Sequence, residues 1–390
     1  MSFAGAPQQS WPIGPPFQRK IRKVGAPLAL LILLGIIAGL VVVALTALNP
    51  VGTSVGFVLS GVAIAVVVLA YIWLDRWEPE PPRLLVFAFL WGATVAVILS
   101  VILSLYLDSL IAMGESGDDS WVSVSVFAPI VEEAAKGTFL LLMMTGWRRS
   151  ELNSLTDCLV YAGLVGAGFA WLEDILYISG GESLGDSLLT AALRLIMGPF
   201  AHSLFTTMFG IGVYFALQNR NAIAKAGCIL LGYLGAVIMH GLWNGSSLIG
   251  PETYFAVYFL WMVPIFVLAI VVGVRSRKRE QRIVAEKLPG MVAAGLVTAN
   301  EATWLGSMRN RKTAIGHAAR MGGKPARKAV RNFAGQVVEL AFVRDRIDRG
   351  FGDDRVYAMQ TEEAYAVHAA RAATPTLQGL AGFRAPPVRP

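Results

Sequence analysis

The stretch FAPIVEEAAK, residues 127–136, carries three charges inside an otherwise apolar part of the chain. WVSVSV precedes it and GTFLLLMMTGW follows it, so Glu132, Glu133 and Lys136 are the only ionisable groups between residues 121 and 147. Without them the segment is typical of a transmembrane helix. Because each charge at the centre of a bilayer costs about 2.5–3.5 kcal/mol on insertion scales, the stretch predicts a membrane helix that carries a functional site.

The composition supports the same class of protein. The chain has 390 residues, of which 55% are hydrophobic and 15% charged, and its mean hydropathy is +0.58. These values exclude an ordinary soluble domain and predict an all-α polytopic membrane helical bundle of about eight transmembrane helices. The eight predicted spans are 26–48, 53–74, 84–107, 122–146, 158–178, 188–217, 225–249 and 253–274. The sixth is too long for one straight span, and splitting it gives nine.

The positions of Lys and Arg predict the orientation of the spans. Basic residues precede the first span, follow the last, and occur in alternate loops. The loops at 49–52, 108–121, 179–187 and 250–252 contain no Lys or Arg. The positive-inside rule therefore predicts a multi-pass protein of the cell membrane with both termini cytoplasmic.

Three regions follow from this pattern. Residues 1–25 are predicted to be a disordered cytoplasmic leader, residues 26–274 the transmembrane catalytic domain, and residues 275–390 a basic cytoplasmic helical tail. The tail has 21 Lys and Arg against 10 Asp and Glu, a net charge of +11. It is predicted to form helices at 297–320 and 324–349, to be disordered over its last 20 residues, and to face solvent or anionic lipid headgroups. No nucleic-acid-binding motif accompanies the charge, so no specific nucleic acid is expected as a partner.

Polar side chains occur deep in only four of the predicted spans. They are Glu132, Glu133 and Lys136 in the fourth, Glu173 in the fifth, His202 in the sixth, and His240 with Asn244 in the seventh. The rise of about 1.5 Å per residue puts the groups in one layer in the outer half of the bilayer. That layer predicts a single shared site. Asp174 and Arg194, nearer the outer boundary, are interpreted as interfacial anchors.

Two kinds of hydrolytic chemistry fit these residues. In the first, one glutamate takes a proton from water and returns it to the leaving amine, a histidine helps, and Asn244 or His240 stabilises the oxyanion. Lys136 is expected to neutralise one of the two adjacent carboxylates, and Glu133 is favoured as the base. In the second, Glu133, His202 and His240 hold a Zn²⁺ ion that activates water. No HExxH motif is present, and the two chemistries stay open.

Four short motifs resemble those of one known family. EEAAK (132–136), FAWLE (169–173), PFAHSLFT (199–206) and HGLWN (240–244) are similar to motifs of the PrsW intramembrane proteases. That family is part of the superfamily of CAAX-processing proteases and bacteriocin-processing membrane peptidases. YIWLDRWEPEPP (71–82) resembles an early acidic, proline-rich loop of the family, so the resemblance covers about residues 70–250. Where CAAX-processing proteases have a histidine in the second motif, this chain has Glu173.

The resemblance implies regulated proteolysis of membrane-embedded or membrane-tethered proteins, such as regulators like anti-sigma factors. It implies a glutamic-type enzyme or a metallopeptidase, and it assigns no role to the tail. Two alternatives remain from the residues themselves. Buried Glu, Lys and His also form relays in proton-coupled transporters, and a non-catalytic scaffold could retain the cluster for packing.

Overall fold

The computed structural model describes residues 25–112 and 120–383. Within these ranges every regular element is a helix and no strand occurs, which confirms the all-α class. The chain separates into two compact units, one formed by Lys23–Val274 and the other containing Arg275–Pro390. The predicted leader, residues 1–25, lies almost entirely outside the described residues.

The helices of the first unit are numbered here in chain order. They are α1 (Leu28–Leu48), α2 (Pro50–Leu74), α3 (Pro82–Leu90, Trp91–Ala96 and Val97–Ala112), α4 (Ser120–Val122, Ser123–Phe127 and Ala128–Met143), α5 (Leu155–Ser179), α6 (Leu184–Ala192 and Leu193–Met197), α7 (Ala201–Leu217), α8 (Ala222–Ile249) and α9 (Pro251–Val257, Tyr258–Met262 and Val263–Ala293). In the described part of the chain, seven helical segments are long and apolar enough to cross a membrane. The protein is therefore a multi-pass membrane protein.

The fourth predicted span, 122–146, corresponds to α4, which is not one of those seven segments. It is long enough, but it contains Glu132, Glu133 and Lys136. Its middle segment, Ser123–Phe127, is π-helical and directly precedes the turn that contains Pro129. Proline has no backbone N–H, so this position breaks the regular hydrogen-bond ladder. α4 is thus a membrane-length helix interrupted just before its charges.

The sixth predicted span is broken in the structure. α6 ends in a π-helical segment, Leu193–Met197, and α7 begins at Ala201. Between them the backbone leaves the helical conformation at Gly198, and the Ala201 N–H donates to the Gly198 carbonyl at 2.9 Å. The prediction that this span is not one straight helix is confirmed. The break directly precedes His202.

Helix α5 is buried along nearly its whole length. Its glycines allow close approach of neighbouring backbones, because a Cβ at Gly168 would lie 1.9 Å from the Phe89 carbonyl oxygen and one at Gly166 would lie 2.5 Å from that of His202. By contrast α1, α2 and α9 expose many large apolar side chains, among them Leu40, Leu69 and Leu260. Such surfaces are suited to lipid. α5 is therefore a central helix of this unit, packed against α2, α3, α4 and α7.

The proline-rich loop between α2 and α3 is folded against α5. Trp77 and Glu80 are buried, and the Tyr161 hydroxyl donates to Glu80 Oε2 at 2.6 Å. The Glu80 N–H donates in turn to Asp75 Oδ2 at 2.9 Å. Burial raises the pKa of the Glu80 carboxyl well above its ordinary value, and the nearby negative charge of Asp157 raises it further. This loop is a buried structural element and not a solvated linker.

The second unit contains the end of α9 and four further helices. They are α10 (Ala299–Leu305), α11 (Met308–Arg346), α12 (Asp354–Ala372) and α13 (Thr376–Gly379). α11 is interrupted at Gly322 and Gly323, where the sequence predicted a helix end, and Gly323 has the positive φ of +65° that glycine tolerates. Trp304 and Phe333 pack in the core of this second unit, with ring centroids 6.4 Å apart.

Two expectations for this unit need correction. The helix predicted over 297–320 is divided, because Ser307 caps a new helix by accepting a hydrogen bond from the Asn310 N–H. The last 20 residues were predicted to be disordered, but residues 371–383 contain the end of α12 and all of α13. Leu377 and Leu380 are buried, and this apolar burial is what the composition of the segment did not reveal. Residues 384–390 lie outside the described part.

Candidate active site

Four helices of the first unit bring six ionisable side chains into one buried network, called here the polar cluster. Its members are Glu132, Glu133 and Lys136 on α4, Glu173 on α5, His202 on α7 and His240 on α8. All four helices were predicted to contribute. Glu133 and Lys136 are fully buried, whereas the Glu132 side chain is 11% exposed.

Lys136 lies at the centre of the polar cluster. Its Nζ is 3.2 Å from Glu132 Oε2, 2.9 Å from Glu133 Oε1 and 3.0 Å from His202 Nδ1. The same nitrogen lies 3.7 Å from the centroid of the Phe169 ring. Lys136 therefore contacts both adjacent carboxylates, and its one positive charge, predicted to neutralise only one of them, is shared between the two. The spacings of three and four residues bring both within reach of a single ammonium.

The partners of the two histidines fix their tautomers. An ammonium only donates, so His202 Nδ1 accepts from Lys136, and His202 Nε2 carries the hydrogen that it donates to Glu173 Oε2 at 2.8 Å. His240 has the opposite arrangement: Nδ1 donates to Glu133 Oε1 at 3.0 Å, and Nε2 lies 3.8 Å from Glu132 Oε2. Each imidazole is thus held by one carboxylate, and its unprotonated nitrogen is turned toward the centre of the cluster, where that of His202 accepts from Lys136.

Neighbouring side chains hold this arrangement in place. The Phe205 ring stacks on His240, with centroids 4.7 Å apart, and the two imidazole rings meet edge to face at 5.0 Å. Thr206 donates to Glu133 Oε2 at 3.2 Å. Glu133 therefore accepts from Lys136, His240 and Thr206, which leaves it little capacity to bind anything else.

Asn244 is not brought into the polar cluster. Its Nδ2 donates to the Val124 carbonyl of α4 at 3.2 Å. In the π-helical register, in which the Ala128 N–H donates to the Ser123 carbonyl, the donor for Val124 would be Pro129, and proline has none. Asn244 supplies the missing hydrogen bond and joins α8 to α4. The contact differs from the predicted role as an oxyanion donor, and the periodicity of the sequence gave no sign of the π-helical register.

Arg194 and Asp174 are also placed differently from the interpretation as interfacial anchors. The Arg194 guanidinium forms ion pairs with Asp174, at 2.6 Å, and with Glu173. It also lies over the Tyr177 ring, 4.2 Å from the centroid. Sequence reasoning missed this connection to the polar cluster, as it missed Thr206. The one available signal was an arginine near the outer end of the span that carries His202.

The residues of the polar cluster fit a divalent metal ion. Glu132, His202 and His240 each offer a ligand atom, and these atoms lie within 4.8 Å of one another. One carboxylate and two imidazoles are a common ligand set for catalytic zinc, and Glu133 and Glu173 take the supporting positions that carboxylates have behind zinc-bound histidines. The set contains Glu132 where the sequence predicted Glu133.

The charges agree with such a fit. Within the polar cluster itself, ionised Glu132, Glu133 and Glu173 carry three negative charges, and Lys136 carries one positive charge. The excess of two negative charges equals the charge of one divalent cation. Because Lys136 Nζ lies 3.0 Å from His202 Nδ1, the ammonium would have to leave that nitrogen when a metal ion binds there.

Comparison with known proteins points to one family. Residues 80–269 match the profile of the "PrsW family intramembrane metalloprotease". The chain is 26% identical over 211 residues to "Protease PrsW" of Oceanobacillus iheyensis, an alignment that covers 54% of this chain and 91% of that protein. It is 21% identical over 225 residues to "Protease PrsW" of Bacillus subtilis, covering 57% of this chain and 95% of that protein. No solved structure gives a significant match.

Proposed function

We propose that the chain is a member of the PrsW family of intramembrane proteases, which the match over residues 80–269 supports, and that the polar cluster is its active site. Its substrates in this proposal are membrane-embedded or membrane-tethered proteins, including regulators like anti-sigma factors. The observation that carries the assignment is the convergence of Glu132, Glu133, Glu173, Lys136, His202 and His240 from four helices into one buried network. Burying so many ionisable groups in a membrane is energetically costly, and residues of this kind therefore mark functional sites.

Glu132, His202 and His240 are the residues that would hold a metal ion. A zinc ion bound by three protein ligands supplies a water molecule whose pKa is lowered to about 7. In the protein itself Glu133 fixes the orientation of His240, and Glu173 fixes that of His202. Lys136 keeps neighbouring carboxylates from repelling one another.

The two adjacent glutamates take different roles in this proposal. Glu133 is fully buried and occupied by three donors, whereas part of Glu132 is exposed. We therefore assign to Glu132 the contact with the hydrolytic water, either by taking its proton or by holding the ion that activates it. The sequence favoured Glu133 as the base. The choice differs because the burial of each carboxylate and the number of hydrogen-bond donors around it cannot be deduced from two adjacent glutamates in a sequence.

The location of the protein is part of the proposal. We place it in the cell membrane with both termini cytoplasmic, on the strength of the Lys- and Arg-free loops. The segment 309–331 has eight Lys and Arg and no acidic residue. We assign this segment to contact with anionic lipid headgroups. Binding of the purified protein's tail to bilayers checks this: we expect salt-sensitive binding to phosphatidylglycerol-rich bilayers and none to phosphatidylcholine bilayers.

The test of the activity is cleavage in reconstituted bilayers. Purified full-length protein is combined in proteoliposomes with a panel of single-pass membrane proteins, and zinc content and chelator sensitivity are measured on the same preparation. We expect cleavage by the wild type and its loss in His202→Ala and His240→Ala. Glu182→Gln changes an exposed loop residue and serves as the matched control. Folded histidine variants that cleave at the wild-type rate would show that the active-site assignment is wrong.

A further inference from the structure

Arg194 is linked to the polar cluster although it lies on α6, which contributes no member to the cluster. It belongs to the π-helical segment Leu193–Met197 of α6, four residues before Gly198, where the backbone break at Gly198–Phe200 begins. Its Nε pairs with Asp174 Oδ1 at 2.6 Å, and its Nη2 pairs with Glu173 Oε2. The guanidinium thus spans two carboxylates that are adjacent in the chain.

The Glu173 oxygen that binds Arg194 is the same oxygen that binds His202. Glu173 Oε2 accepts from Arg194 and, at 2.8 Å, from His202 Nε2. A continuous series of contacts therefore runs from Arg194 through Glu173 to His202, and from His202 Nδ1 to the centre of the cluster. Rotation of the Glu173 carboxylate would remove the hydrogen bond that sets the tautomer of His202.

We propose that Arg194 is a positioning residue that holds Glu173, and through it the tautomer and orientation of His202, in the form needed at the active site. The proposal rests on the proposed function, since it gives His202 a role there. Arg194 touches no other member of the polar cluster in the contacts described, so it acts through Glu173 and not as a catalytic residue.

The geometry of the contact requires arginine. A guanidinium places two donors in one plane, and these reach Glu173 and Asp174 while its face rests on the Tyr177 ring. A lysine ammonium carries the same charge but cannot reproduce this planar fork. Arg194→Lys is therefore expected to behave like Arg194→Gln and not like the wild type.

A purely structural role would give a different pattern. If Arg194 only fastened α6 to α5, its contact with Asp174 would matter as much as that with Glu173. Asp174→Asn removes the charged partner that has no contact with His202, and so it is the matched control. Glu173→Gln removes the link itself.

The first experiment measures the Zn²⁺ dissociation constant of full-length, detergent-purified protein by competition with a chelator. Loss of a residue that orients a metal-bound histidine weakens binding by about 10–100-fold. We expect that change for Arg194→Gln, Arg194→Lys and Glu173→Gln, with a value close to that of the wild type for Asp174→Asn. Arg194→Gln added to Glu173→Gln should cause little further loss, because both changes break one link.

A second readout does not depend on metal. In zinc-free protein labelled with ¹⁵N-histidine, with His202→Ala used for assignment, His202 should give the shifts of the Nε2–H tautomer in the wild type and in Asp174→Asn. Arg194→Gln should shift it toward a mixture. Equal effects of Arg194→Gln and Asp174→Asn, or unchanged His202 shifts and zinc affinity in a destabilised Arg194→Gln protein, would overturn the proposal.

The outcomes separate this inference from the proposed function. A wild type that binds zinc and shows the expected Arg194 dependence, but cleaves no membrane protein, contradicts the protease assignment alone. A wild type that cleaves substrates, with Arg194→Gln leaving affinity, tautomer and cleavage unchanged, contradicts the positioning role alone.

Discussion

Glu132 and Glu133 are neighbours in the chain, yet the structure gives them unlike surroundings. Glu133 is enclosed by Lys136, His240 and Thr206, whereas Glu132 keeps some exposure and faces His240 Nε2. On a helix, successive residues differ in direction by about 100°, so one of a pair can point into the packed interior while the other faces an opening. The difference between the two carboxylates is therefore a property of α4 as packed and not of the EE motif.

Substitution of each glutamate by glutamine should separate their roles. Glu132→Gln removes the group assigned to water, and we expect kcat on a cleavable membrane substrate to fall by about 10²–10⁴-fold, the range typical of general acid–base groups. Glu133→Gln should cost less, about 10–100-fold, because it loosens His240 without removing a reacting group. Thermal unfolding of both variants provides the control for folding. A larger fall in kcat for Glu133→Gln than for Glu132→Gln would indicate that Glu133 is the base.

At the scale of elements, the site depends on backbones that approach closely. Gly166 of α5 lies against the first turn of α7, where a Cβ would be 2.5 Å from the His202 carbonyl oxygen and 2.6 Å from the Ser203 Cα. Neither atom belongs to a movable side chain. Any larger residue at position 166 must therefore displace the turn that carries His202.

The change Gly166→Ala is predicted to lower both stability and zinc affinity. Overpacking of this kind typically costs about 1–3 kcal/mol, and the resulting shift of α7 separates His202 from Glu132 and His240. Gly227→Ala on α8 is the control, because no atom lies within 4 Å of its Cβ position. Thermal unfolding and chelator competition measure the two effects. Wild-type zinc affinity in Gly166→Ala would mean that α7 tolerates the shift.

The helices of the membrane unit could be predicted from sequence more easily than the contacts between them. Apolar runs and the i, i+3 and i, i+4 spacing were enough to place Lys136 near its glutamates. They could not show that Arg194 reaches Glu173, since the two lie on helices whose mutual rotation depends on packing. Nor could they assign Asn244, because its partner carbonyl is freed by a π-helical turn that leaves no periodic signature.

At the scale of the whole molecule, loop charge predicts which side of the membrane each connection occupies. The loop 180–183 between α5 and α6 contains no Lys or Arg and is expected on the outer side, whereas the basic stretch that starts at Arg275 is expected to be cytoplasmic. The two native cysteines, Cys158 and Cys228, are free thiols. Both can be replaced to give a background for labelling.

Single cysteines should report this topology. In a Cys158→Ala/Cys228→Ala background, a membrane-impermeant maleimide applied to intact cells is expected to label Glu182→Cys and not Lys278→Cys. Both positions are exposed, so accessibility alone does not distinguish them. Lysed cells, in which both should react, serve as the control. Labelling of Lys278→Cys in intact cells would contradict the proposed orientation.

Helix α4 has a consequence for how the protein is made. Its three charges oppose entry into the bilayer by about 8–10 kcal/mol, while each central Leu, Ile, Phe or Val returns only about 0.3–0.6 kcal/mol. The partners that offset this cost, Glu173, His202 and His240, are synthesised after it. We therefore expect α4 to remain at the translocon or the interface until α5, α7 and α8 have entered, so that the polar cluster is completed only when the later helices have assembled around α4.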